Sequence, residues 1–526
     1  MRSAALVAIG RGQHTVLVSY DVIVVGGGSA GAVVAARVSE DPGRSVLLVE
    51  AGPDWPTVDE FPDAVRNAFL VDFGHNWDLS CTMVPGRQLA YPVGRVIGGS
   101  SAVNACMAIR GAPDDFDEWA QLGNDEWSWP RMLEQFKRLE DDRDFKDEMH
   151  GQGGPIPIVR WARDELVPES EAFLSACVGV GLRAVPDLNA PGVEGVGMLP
   201  MNRVGKLRLS TAIGYLAPAR RRTNLTVRGN TSISRVLFDG STAVGVEIAS
   251  PDGVERIEAG EVVLSAGAIH SPALLLRSGV GPADGLRALG INVVADLPGV
   301  GRNLLDHVDV PLSLVPRENH YDPENPSVQV SALLSSGRGE SADVHLQLVN
   351  EVDANILATY TGQDPSLVPP SLYTLLVRLQ RPRSVGAVRL TDPAPSAPLD
   401  IDFNLVADDE DAIRLREAVR LAAEVAAGMS SVSTAIMAPD TATLADDLAL
   451  DAFVHATCRA ALHATGTCRM GPTTDASAVV DQHAVVHGLT GLRVADASVM
   501  PNVVRANTNV TCIAIGGQVA DFIRST

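Results

Sequence analysis

Apart from Asp21, residues 20–25 form an unbroken apolar and β-branched run that stops at Gly26-Gly27-Gly28, and residues 30–38 then have helix-forming composition. A second apolar run over residues 45–49 closes at Glu50-Ala51-Gly52. Short, continuous apolar runs bounded by glycine are the pattern of strands buried on both faces, so residues 20–52 are predicted to be a compact βαβ unit. The pattern returns at residues 262–267, followed by a helix-like stretch over 271–277 and Gly279, which predicts another strand of the same parallel sheet. Residues 154–159 and 386–390 are shorter runs set among Pro-rich and Asp-rich turns, and are predicted as strands of a different sheet. Residues 412–427 carry apolar positions at helical spacing up to Gly428, an amphipathic helix with a glycine stop. No repeat period interrupts this order, which sets solenoids and arrays aside.

At 526 residues the chain exceeds one ordinary core, which implies two structural regions or one large elaborated α/β body. The formal charge of −22, from 42 Lys+Arg against 64 Asp+Glu, repels phosphate backbones and anionic lipid, so no nucleic-acid partner is expected. Arg220-Arg221-Arg222 follows Pro218 and reads as a solvated turn. Six cysteines stand without a CxxC pair or ligand spacing, the usage of reduced, buried thiols in a cytoplasmic protein, with no metal site. No apolar stretch approaches a membrane span, and residues 1–19, broken at Arg11-Gly12-Gln13, match a secretory signal poorly and are set apart as a leader.

Gly26-x-Gly28-x-x-Gly31, with Ser29 and Ala30 between, follows a predicted strand and opens a helix. Such a turn lets the backbone approach a pyrophosphate, whose charge the helix N-terminus stabilises. Glu50 stands roughly 20 residues further on, where a carboxylate accepts hydrogen bonds from an adenosine ribose. The fingerprint serves the ADP half common to NAD and FAD. An NAD-dependent dehydrogenase would account for residues 20–52 and for nothing after them.

Further blocks discriminate. A glycine-dense loop, Gly94-Arg95-Val96-Ile97-Gly98-Gly99-Ser100-Ser101-Ala102-Val103-Asn104, is followed by Ser265-Ala266-Gly267-Ala268-Ile269-His270-Ser271-Pro272 and Ser278-Gly279-Val280-Gly281-Pro282. Near the end stand His463-Ala464-Thr465-Gly466-Thr467-Cys468-Arg469-Met470-Gly471, Val494-Ala495-Asp496-Ala497-Ser498 and Ala506-Asn507-Thr508-Asn509. In this order the blocks resemble the signatures and C-terminal catalytic region of the glucose-methanol-choline (GMC) oxidoreductases, nearest to their choline dehydrogenase, hydroxymethylfurfural oxidase and pyridoxine oxidase group.

The resemblance implies an α/β fold, a Rossmann-type FAD-binding domain interleaved with a substrate-binding domain built on an antiparallel sheet. The expected FAD-binding parts are 20–154, 215–314 and 455–526, and the substrate-binding parts 155–214 and 315–454. It also implies FAD contacts from Gly26, Gly28, Ser29, Ala30, Gly31, Glu50 and Ala51 at the ADP end, with Val236 meeting the adenine through its backbone. Trp77, Arg95, Val96, Gly99, Asn104, Ala105, Cys106 and Met107 belong to the flavin loop and its surroundings. Ala266, Asp496, Ala497, Thr508 and Asn509 complete the set. Relatives that tether FAD through histidine carry it immediately before the loop asparagine; here that position is Val103, which implies non-covalent FAD.

Removing hydride from an alcohol carbon requires a base for the hydroxyl proton. His463 fills that role in the resemblance, Asn507 orients the alcohol oxygen, and Ala461 and Leu462, directly before the base, face the substrate. His270, His455, His483 and His487 read as structural. The expected reaction is FAD-dependent oxidation of a small-molecule alcohol to a carbonyl, with hydride passing to flavin N5 and oxygen or a quinone-like carrier as final acceptor. A redox-silent flavoprotein of the hydroxynitrile lyase kind is the alternative.

Overall fold

The computed structural model describes residues 19–250, 253–317, 322, 324–338, 341–353 and 371–526. The expected leader therefore lies outside the described residues except for Ser19, which opens the first strand rather than preceding it.

Strand Ser19–Val25, helix Gly31–Val38 and strand Val46–Val49 form the predicted βαβ unit. The strands pair in parallel, Val22 to Val25 against Val46 to Val49. Both are buried on their two faces, which is why their apolar runs are continuous. Leu225–Arg228 joins beyond Val46–Val49. On the other side Gly253–Leu264 pairs with the first strand, and its last three residues also pair with Leu492–Val494. The antiparallel hairpin Ile233–Asp239 and Thr242–Ser250 completes this seven-stranded sheet.

A second seven-stranded sheet is antiparallel throughout its main path. Its order is Ser433–Ala438, Val308–Pro316, Ser371–Leu379, Val344–Asp353, Val330–Leu334 and Gly195–Met198, with the short Arg459–Ala460 beside Val308–Pro316. Each sheet carries its own hydrophobic core, and Ala464 packs against both. The expected α/β fold with an antiparallel substrate-side sheet is what the structure shows.

Three expectations need correction. The runs at 154–159 and 386–390 lie outside the parallel sheet but not in one common sheet. Ile156–Ile158 pairs only with Glu140–Asp142, because Pro155 and Pro157 lack the N–H groups a longer ladder needs. Ala387–Leu390 sits in a separate four-stranded sheet with Leu399–Asp402, Leu79–Val84 and Arg87–Tyr91. The helix predicted over 412–427 is Asp409–Gly428, started by the Asp408 carboxylate accepting from Glu410 N at 2.9 Å. It ends at Gly428 as expected, and a Cβ there would meet Ala176 Cβ at 2.9 Å, so the same glycine also permits a close helix approach. The arginine cluster is not a solvated turn, since Arg220 pairs with Asp54 and Arg222 donates to the Ala36 carbonyl at the end of the first helix.

Candidate active site

A cavity of about 950 Å³ is lined by residues of both sheets and the loops between them, at the upper end of the ~300–1,000 Å³ usual for cofactor and ligand sites. Gly26, Gly28, Ser29, Ala30, Glu50 and Ala51 line it, with Trp77, Gly99, Asn104, Ala105, Met107 and Ala266, and with Asp496, Ala497, Thr508 and Asn509. Ala461, Leu462, His463 and Asn507 line it as well, as do Gln347, Thr374 and Leu376 of the second sheet.

Five of the sequence-derived residues do not reach the cavity. Gly31 lies beneath the glycine turn, where a Cβ would meet Gly26 O at 2.0 Å. Arg95 is exposed and stacks its guanidinium over Trp77, 4.8 Å from the ring centre, and Val96 is buried below it. The Cys106 thiol turns away to Arg208 at 3.4 Å. The Val236 amide donates to Ser278 Oγ at 2.9 Å, so its place along the cavity is taken by Thr231, Ser232 and Ile233.

In the glycine turn, Gly26 adopts φ +101°, conformational space that favours glycine. Gly27 N–H and Gly52 N–H each donate at 2.8 Å to a different oxygen of Glu50. Burial nevertheless lifts the Glu50 carboxyl to about 7. Asp496 accepts from Gly267 N–H at 2.9 Å and from the Ser271 hydroxyl at 2.5 Å. Ser29 Oγ donates to Asn509 Oδ1 at 2.8 Å, joining the glycine turn to the start of helix Thr508–Arg524. Helix Gly267–Arg277 contains Pro272, which frees the Ala268 carbonyl; Thr467 Oγ1 donates to it at 2.5 Å.

The segment carrying His463 is built by stapling two loops. Beyond the Arg459–Ala460 pairing, Ala461 N–H donates to the His307 carbonyl at 3.0 Å, and Leu305 and Thr465 exchange backbone bonds at 3.1 and 2.9 Å. Between these staples Leu462 takes φ +66°. The turn is held by Asp306, whose carboxylate accepts from Ala461 N–H and His463 N–H at 3.0 Å and from Tyr91 O–H at 2.5 Å. Tyr91 Oη in turn accepts from Ala464 N–H at 3.1 Å. Burial lifts Asp306 to about 7 despite these donors.

His463 is thereby fixed with Nε2 3.1 Å from Asn507 Nδ2 and Nδ1 2.9 Å from His307 Nδ1. Asn507 stands at the N-cap position of the C-terminal helix but does not cap it; its amide is turned to the histidine instead. Burial, then the neighbouring His307 and Arg378, hold the His463 imidazole well below its ordinary value, so it is a neutral ring able to take a proton.

Polar atoms left without protein partners show what the cavity accepts. Asn507 Oδ1 and Asn509 Nδ2, both on residues lining it, are buried and unpaired. Gly28 and Gly99 face each other so closely that a Cβ on Gly99 would lie 2.6 Å from Gly28 Cα. A bare glycine turn at a helix N-terminus, a buried carboxylate with spare lone pairs and unpaired amides along the wall fit a dinucleotide such as FAD.

His307, Asp306 and Tyr91 were not singled out by sequence reasoning. For Asp306 and His307 the signal was Asp306-His307 followed by Asp309, ionisable residues among Leu304, Leu305, Val308 and Val310; Tyr91 carried none. Of the histidines read as structural, His270 lines the cavity with its ring 4.2 Å from that of Trp77, and burial, Arg277 and Arg95 hold it down at about 4. His487 Nε2 lies 3.0 Å from the Gly471 carbonyl, and the His483 ring packs edge-on against Phe522. All six cysteines are free and buried. Among the described residues, no helix is long and apolar enough to cross a membrane.

Residues 20–309 and 382–516 match the N- and C-terminal sequence profiles of GMC oxidoreductases. The chain is 35% identical over 535 residues to a 5-(hydroxymethyl)furfural oxidase of a Methylovorus species, covering 96% of this chain and 98% of that protein. It is 35% identical over 542 residues to an oxygen-dependent choline dehydrogenase of Chromohalobacter salexigens, covering 96% and 95%. The crystal structure of pyridoxine 4-oxidase from Mesorbium loti superposes with a TM-score of 0.87 at 30% identity, over 96% of this chain and 99% of that one.

Proposed function

This chain belongs to the GMC oxidoreductase family and is an FAD-dependent enzyme that oxidises the CH–OH group of alcohols; we propose that His463 is its base and Asn507 its orienting donor. Bound FAD supplies the hydride acceptor at its N5. The protein's part is to seat the alcohol carbon and take the hydroxyl proton. His463 Nε2 receives that proton, and the Asn507 amide N–H holds the alcohol oxygen in line. The observation that carries this reading is the 3.1 Å approach of Asn507 Nδ2 to His463 Nε2 inside the cavity, where one hydroxyl can meet both.

Ala461 and Leu462 line the same cavity and bound the substrate space. The alcohols in the relatives' names, 5-(hydroxymethyl)furfural, choline and pyridoxine, support a small alcohol as substrate. Val103, buried at the cavity wall, offers no atom for a covalent link, which supports dissociable FAD. Six free thiols suit a cytoplasmic setting.

A panel of small alcohols assayed for hydrogen peroxide release and for dye reduction tests substrate and acceptor together. Anaerobic addition of the true substrate is expected to bleach the flavin band near ~450 nm; a turned-over alcohol that left the band intact would refute the oxidation reading.

Glu50 gives a second prediction. Its ionised oxygens are the acceptors for a ribose, and its carboxyl sits at about 7 in the protein without ligand. Protonation removes an acceptor, so FAD affinity is expected to hold above pH ~7 and to fall about tenfold per pH unit well below it. Glu50→Gln should weaken binding and flatten this pH dependence. Titrating deflavinated protein with FAD between pH 5.5 and 8 measures both; a pH-independent affinity in the parent protein contradicts the role.

A further inference from the structure

A histidine has two ring nitrogens, and only the one without a proton can act as base. For His463 the contacts behind the ring determine which one that is. The Val504 carbonyl oxygen lies 2.8 Å from His307 Nε2, and a carbonyl only accepts, so His307 Nε2 carries a hydrogen. His307 is fully buried, and burial together with the Arg378 guanidinium holds it down at about 3, so the ring has no second proton. His307 Nδ1 is therefore a bare acceptor. The atom facing it at 2.9 Å is His463 Nδ1, which must supply the hydrogen.

That leaves His463 Nε2 bare and facing the Asn507 amide nitrogen at 3.1 Å, a donor. Each contact then pairs one donor with one acceptor. In the other tautomer two bare nitrogens would face each other at 2.9 Å, and two donors would oppose at 3.1 Å, losing both hydrogen bonds in a buried site.

We propose that His307 is a positioning residue that fixes His463 in its Nδ1–H tautomer and so makes Nε2, the nitrogen beside Asn507, the base. The inference deepens the proposed function and rests on His463 being that base. The surrounding charges preserve the arrangement. Arg378, held by two bonds of 2.7 and 2.9 Å to Asp309 and one of 3.0 Å to Gln347 Oε1, keeps positive charge beside His307 and discourages a second proton there. Neither His307 nor Arg378 has to move for the proton to be taken, because the hydrogen on Nδ1 stays in place while Nε2 gains one.

The test uses FAD-loaded enzyme labelled with 15N only at histidine. Among its 11 histidines, the His463 signals are those lost in His463→Asn. At neutral pH the parent enzyme is expected to show a protonated Nδ1 and a bare Nε2 in His463. His307→Leu keeps much of the volume but removes the acceptor, and should shift His463 toward the Nε2–H form and lower kcat about 10²-fold with KM nearly unchanged. His307→Asn restores an acceptor oxygen near the position of Nδ1, and should recover both the tautomer and most of kcat. The inference is overturned by a parent enzyme with Nε2 protonated, by an unchanged tautomer in His307→Leu, or by Leu and Asn variants impaired alike. The parent spectrum needs no variant at position 307 to fold. Unchanged flavin reduction in His463→Ala would instead remove the base itself, leaving the tautomer measurement as a separate result.

Discussion

His463→Ala is expected to slow anaerobic reduction of the bound FAD by substrate at least ~100-fold, the scale of a lost general base, with FAD content unchanged. The separation of effects follows from how the residue is held. Its backbone N–H, not its ring, bonds to Asp306, so alanine keeps the staple that shapes the turn. Among the described residues the ring bonds only to His307 and Asn507, and neither contact supports the glycine turn or Glu50. The Tm should therefore change little, and binding of FAD to the deflavinated variant should match the parent. Added imidazole, small enough to enter the vacated volume, should restore part of the rate. A variant that reduces FAD at the parental rate excludes His463 from proton transfer, and one that loses FAD reassigns it to cofactor binding.

The second large effect separates two glycines of one motif. Gly31→Ala is expected to lose FAD and several kcal/mol of stability together, whereas Gly28→Ala should lose FAD while folding normally. A Cβ on Gly31 would lie 2.0 Å from Gly26 O and 2.8 Å from Ser265 Cβ. The closest obstacle is backbone and cannot rotate aside, so helix Gly31–Val38 must lift from the parallel sheet. A Cβ on Gly28 meets only Gly99 Cα, at 3.8 Å, ordinary contact, but projects where Gly28 lines the cavity. Thermal melts of the deflavinated proteins, with FAD titrations, distinguish the two. Equal melting temperatures for the two variants would show that the motif's glycines share a single role.

The parallel sheet was legible because its strands are buried on both faces, and the runs at 20–25, 45–49 and 262–264 need no partner to be recognised. His463 and Asn507 were legible because they lie in long motif strings. The resemblance implied that the Val236 backbone meets the adenine, but whether its amide faces a ligand depends on where the Ser278 hydroxyl falls, 42 residues away. His307 went unread for a similar reason. Its role depends on Val504 and His463, 197 and 156 residues distant, and no local spacing encodes that meeting. Gly428 was legible as the end of its helix because an end is a local property, whereas the helix packed against it is not.

Ser29 and Asn509, joined by one hydrogen bond, are 480 residues apart. Helix Gly31–Val38 packs along helix Thr508–Arg524, with Arg37 paired to Asp521 at 3.0 Å and Arg44 donating to the Ile523 carbonyl at 2.6 Å. During synthesis the glycine turn leaves the ribosome 480 residues before the wall opposite it. Closing contacts over such a separation is slow, so the cleft is expected to capture its cofactor only after residue 509 has been made. A chain arrested before residue 507 would carry the whole dinucleotide fingerprint and still emerge colourless.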